Sequence, residues 1–146
     1  MTALLAFART GQLGFLALGI SAGDVAERMG KPDGVVEAAA PMHAYLDVQL
    51  GYSSRGILGL ISVEPDPFTG TVRLPPPLGS GAPTPAPGLE DFFTHIREHS
   101  LEVERKELFV PGESWWLVQG SGVILEFDEE QVLRTVARSD TALLSW

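Results

Sequence analysis

PPPLGSGAPTPAPG, residues 75–88, holds six prolines and three glycines, with Leu78 as its one large apolar side chain. Proline fixes φ and removes a backbone donor, so such a stretch forms neither a helix nor a central strand. It reads as an extended linker. The linker divides the chain into segments of 74 and 58 residues, 1–74 and 89–146. The fold turns on whether those two segments follow one plan.

In the first segment, residues 3–9 suit a short helix and 13–18 an extended approach. A second helix is expected over 22–29, with Val25 and Met29 at i, i+4 and with Gly30 and Pro32 as stop signals. Residues 43–52 then alternate, with Tyr45, Asp47 and Gln49 on one face and Leu46, Val48 and Leu50 on the other. Residues 57–63 are apolar enough for a central strand, and 70–74 for a third, edge strand. The second segment repeats the order of helix and then strands. Leu89, Phe92, Phe93 and Ile96 fall at i, i+3, i+4 and i+7, which predicts a helix over 89–99 with one apolar face. Strands are expected over 101–110, 114–119, 122–127 and 131–138, separated by a hairpin loop at 119–122 and a polar turn at 128–130. The expected fold is therefore α+β, two related units, each a helix packed on an antiparallel β-meander. The units are residues 1–74 and 89–146, joined by 75–88.

Composition narrows the function classes. The formal net charge is −9, from 19 acidic against 10 basic residues. That balance argues against direct nucleic-acid or anionic-membrane binding, since both need basic surface, and it favours a basic partner. With no cysteine, disulfides and thiolate metal sites are excluded. No apolar run reaches the roughly 18 residues of a membrane span. Arg9 and Gln12 interrupt the N-terminal apolar run, so a mature cytoplasmic chain is expected.

Three local patterns carry possible chemistry. Gly19-Ile20-Ser21-Ala22-Gly23 matches the G-x-S-x-G nucleophile elbow of serine hydrolases. That fold needs a parallel sheet with crossover helices, whereas the strands here suit hairpins, and only unmarked partners such as Asp47 or Glu64 with His95 are on offer. The simpler reading makes Ser21 the N-cap of the helix that follows, with Asp24 in its first turn. Asp91, His95 and His99 stand at i, i+4 and i+8 along one helix flank. A third ligand eight residues along a straight helix is poorly placed for a tetrahedral site, so the expectation is a solvated face, with no metal and no cofactor. Trp115 and Trp116 are adjacent, so on a strand one enters the core and the other faces outward, where an aromatic can anchor a partner.

The runs LGFLALGISAGDVAERMGKPD (13–33), AYLDVQLGY (44–52) and GILGLISVE (56–64) resemble the first half of small bacterial immunity proteins of polymorphic toxin systems. LEDFFTHIREHS (89–100) followed by WWLVQGSGVILEFDEEQVLRTVARSD (115–140) resembles their second unit. The resemblance implies a stoichiometric binder and brings no catalytic residues with it. On this reading an acidic sheet face occludes a basic toxin such as a nuclease, inside the cytoplasm. Strand alternation and charge nominate Tyr45, Asp47, Tyr52, Trp116, Glu126, Asp128 and Glu129 as contacts. The rival classes are a small serine hydrolase using Ser21 and a self-associating structural module.

Overall fold

The computed structural model describes residues 2–106 and 114–144. Two helices open the chain, α1 (Thr2–Thr10) and α2 (Ala22–Met29). Ser21 starts the second, as its position before Asp24 suggests: its backbone is extended and its Oγ accepts the Asp24 N–H at 3.1 Å. Capping satisfies an amide that the first helical turn leaves without a carbonyl. Ser21→Ala is therefore expected to cost about 0.5–2 kcal/mol in urea denaturation. A serine-reactive probe that labels wild type and not this variant would instead make the residue a nucleophile.

The strands follow as β1 (Gly34–Val36), β2 (Met42–Tyr45), β3 (Val48–Tyr52) and β4 (Leu58–Val63). The alternation over 43–52 is not one strand. Tyr45 and Val48 are cross-strand partners, and the two residues between them form the loop of a hairpin. Leu46 takes a left-handed φ of 52° there, and its amide donates to Asp33 Oδ2 at 2.7 Å. Such a conformation costs a branched residue roughly 1–2 kcal/mol, and the charge-assisted bond to Asp33 offsets it.

The Pro-rich stretch is folded on itself and does not run as a free linker. Thr71–Val72 (β5) pair with Thr84–Pro85 (β6) in a separate two-stranded ribbon, so the expected edge strand over 70–74 does not join the main sheet. The ladder is short because Pro85 has no N–H to donate. Pro75 and Pro87 are buried, and Leu78 and Gly79 donate back to the Pro75 carbonyl.

Helix α3 (Leu89–Glu98) lies where its periodicity places it and buries Phe92 and Ile96. Strands β7 (Val103–Lys106), β8 (Ser114–Val118), β9 (Ile124–Phe127) and β10 (Leu133–Ser139) come next, before a closing turn of helix, α4 (Thr141–Leu144). The part of the expected 101–110 strand beyond Lys106 lies outside the described residues. All eight long-range strands form one antiparallel sheet in the order β1-β2-β3-β4-β10-β9-β8-β7. Its centre is the β4–β10 pair, with Val63 opposite Val136 and Leu60 opposite Ser139. Both sequence segments thus share a sheet, and they share a core.

That core lies between the helices and one sheet face. Leu4 and Phe7 of α1, Val25 of α2 and Phe92 of α3 pack with Leu50, Ile61, Leu125, Phe127 and Val136 of the strands. Phe92 meets Phe127 edge-to-face at 6.1 Å, and Phe93 meets Trp116 at 4.8 Å. The end of α1 is tied to the β8–β9 loop by Ser121 Oγ, which donates to the Ala8 carbonyl at 2.7 Å. Gly11 closes α1 at a φ of 79°, where a Cβ would collide with the Arg138 guanidinium.

Candidate partner-binding cleft

Strands β4 and β9 end, and β10 begins, at the same edge of the sheet. Two loops leave there and shape a cleft of about 420 Å³ whose walls include Glu64, Glu126, Asp128, Val132 and Arg134. The first loop follows β4. Asp66 Oδ1 accepts the Phe68 N–H at 2.8 Å, and the Asp66 carbonyl accepts the Gly70 N–H at 2.9 Å. The resulting tight turn holds Phe68 outward, 96% exposed. The second loop joins β9 to β10. Asp128 Oδ1 accepts the N–H groups of Glu130 at 2.8 Å and Val132 at 3.0 Å, which organises the turn and leaves Val132 39% exposed on the cleft wall.

Six carboxylates, those of Glu64, Asp66, Glu126, Asp128, Glu129 and Glu130, belong to this end of the sheet and its two loops, and Arg134 is the cation on the cleft wall. A negative, concave surface beside a solvated aromatic suits a cationic side chain and an apolar neighbour on the same partner. The carboxylates attract and orient, and the aromatic gains from desolvation.

The seven residues nominated from sequence separate into three groups. Glu126, Asp128 and Glu129 line the cleft or its turn. Asp47 lies nearby, its carbonyl accepting the Glu64 N–H at 3.1 Å. Its carboxylate is engaged within the chain, accepting the Arg73 N–H at 2.7 Å and facing the Arg73 guanidinium at 3.4 Å. Tyr45, Tyr52 and Trp116 lie on the face that the helices cover. Tyr45 and Tyr52 are 4% and 1% exposed: the two-residue loop at Leu46 and Asp47 puts Tyr45 on the same face as its partner Val48, and Tyr52 shares that face with Val48 and Leu50 by alternation along β3. Trp116 is half-buried against Phe93 of α3, so of the tryptophan pair it is Trp115, across the ladder from Glu126, that takes the other face.

Phe68 was not among the nominations. Its signal in EPDPFTG is a large apolar residue inside a turn cluster, with no large apolar neighbour at i±2 or i±3 to share a buried face.

The other candidate chemistry is accounted for locally. Ser21 caps α2, and His95 is bonded to Arg9. Among the described residues no group of three His, Cys, Asp or Glu side chains is arranged to hold a metal ion. Among them too, no helix is long and apolar enough to cross a membrane. Set against known protein families, curated proteins and solved structures, the chain matches none of them.

Proposed function

We propose that this chain is a non-catalytic, stoichiometric binding protein of the immunity type, which neutralises a basic toxin by receiving it at the acidic cleft. The observation that carries this reading is Phe68, almost fully exposed in the loop whose Glu64, Pro65 and Pro67 wall the cleft together with Glu126 and Asp128. An exposed large aromatic is costly unless a partner covers it, and aromatics dominate binding energy at protein interfaces. The surrounding carboxylates raise the encounter rate with a basic surface. A basic nuclease fits that charge pattern, and the chain acts in the cytoplasm.

The division into two related helix-and-meander units belongs to the same proposal. It is supported by the mirrored strand order, β1 to β4 on one side and β7 to β10 on the other, each run ending in a central strand.

The test is affinity capture by the tagged full chain from its native lysate at low and high salt, followed by titration of the captured protein. The expected result is a basic partner held in a one-to-one complex that weakens with salt. Phe68→Ala is expected to weaken it by roughly tenfold or more, and Glu64→Lys to slow association with little change in dissociation. Absence of a partner at both salt concentrations would overturn the reading. So would a partner whose affinity neither substitution changes.

A further inference from the structure

Helix α1 packs against α3, and across that seam the Arg9 Nε–H donates to His95 Nε2 at 3.4 Å. To accept there, the imidazole must keep a lone pair on Nε2, so the contact exists only while His95 is neutral with its proton on Nδ1. One turn further along α3, the His99 ring lies 4.4 Å from the His95 ring, held by a 2.9 Å hydrogen bond between His99 Nδ1 and the His95 carbonyl. The charged and titratable groups around His95 are therefore Arg9 from α1, and Glu98, His99 and Asp91 from α3 itself. Leu5 of α1 and Pro87 of the preceding loop complete the surroundings without adding charge.

We propose that the Arg9–His95 contact is a proton-sensitive latch between α1 and α3, closed with neutral His95 and opened when the ring takes up a proton. A protonated ring presents N–H groups at both nitrogens, so a donor would then face the Arg9 donor and one cation would face another. The neighbouring His99 adds to the repulsion, and Glu98 offsets part of it. Because α1 supplies Leu4, Phe7 and Ala8 to the core, the end of that helix is where the fold would loosen first.

Burial, then His99 and Arg9, push His95 below the ordinary histidine value, against an opposing pull from Glu98. A depressed histidine binds its proton more tightly in the unfolded chain. The latch therefore contributes fully above the unfolded value of about 6.5 and is lost as pH falls through the lower folded value, a window above most carboxylate titrations near 4.

The test is urea denaturation of the full chain at about pH 7.5 and about pH 5.5, together with amide exchange corrected for intrinsic rates. His95→Gln keeps a carbonyl acceptor for Arg9 and cannot be protonated. Wild type is expected to lose at least about twofold more of its folding equilibrium constant on acidification than His95→Gln does, with exchange rising more in α1 than in β4. An equally steep loss in His95→Gln, or exchange that rises no more in α1 than in β4, would overturn the latch. Should His95→Gln fail to fold, Arg9→Gln decides the matter. That variant keeps a donor without the charge, so a shallower acid loss supports the latch and a slope like that of wild type overturns it.

Discussion

Phe92→Ala is expected to lower the stability of the protein by about 3–5 kcal/mol, the cost of emptying a buried phenylalanine site. The side chain is fully buried and meets Phe127 of β9 edge-to-face at 6.1 Å. Its removal forfeits the transfer free energy of the ring, the aromatic contact, and the contacts of whatever cavity the neighbours cannot close. The cavity term is large here because Phe92 joins α3 to the sheet, and both of its neighbouring elements are held elsewhere. α3 is fixed by α1, and β9 is paired on both sides, to β8 and β10. A thermal melt followed by circular dichroism reads the effect as a fall in midpoint on the order of 10 °C, at roughly 2–4 °C per kcal/mol for a chain of this size. Phe92→Leu refills most of the volume and should recover more than half of the loss. A cost for Phe92→Ala below about 1 kcal/mol would mean that α3 is not docked on β9.

The same helix shows why part of this fold is legible in the sequence. The apolar spacing from Leu89 to Ile96 has only one solution at 3.6 residues per turn, and the structure buries Phe92 and Ile96. The Ser21 cap and the polar turn at Asp128 are equally local, each set by a side-chain oxygen and the amides two to four residues on. The β2–β3 hairpin escaped for a physical reason. Its loop is Leu46-Asp47, with no glycine or asparagine to mark a left-handed residue, and the alternation runs through it unbroken. Missing those two residues turned Tyr45 from the buried face to the exposed one. The β4–β10 pairing joins strands about seventy residues apart, and no local pattern specifies which strands become neighbours at that range. At the cleft, Glu126, Asp128 and Glu129 are visible in the sequence as charge near a turn. Glu64 comes to them through that long-range pairing, and Phe68 follows it in the same loop.

Tyr52→Phe is expected to raise stability by about 1–2 kcal/mol, the desolvation cost of a buried hydroxyl without a partner. Tyr52 is 1% exposed, and its Oη finds no hydrogen-bond partner among the described residues, while its ring packs edge-on to His43 at 5.0 Å. Phenylalanine keeps the ring and the packing and discards the hydroxyl. Tyr45 supplies the contrast, because its Oη donates to the Gly30 carbonyl at 3.0 Å and ties β2 to the end of α2. Tyr45→Phe removes that bond and is expected to cost about 0.5–1.5 kcal/mol. The same chemical change in two neighbouring tyrosines should thus act with opposite sign, and one set of urea titrations measures both. Alkaline pH adds a second reading. Burial, and then Tyr45, hold the Tyr52 phenol well above the ordinary tyrosine value, so the unfolded chain ionises first. The protonated phenol contributes its full stability below about pH 10, and that contribution is lost as pH rises beyond it. Wild type should therefore weaken more steeply than Tyr52→Phe above about pH 10. Parallel alkaline slopes would mean that the phenol is hydrated in solution, and a destabilised Tyr52→Phe that its hydroxyl is hydrogen-bonded there.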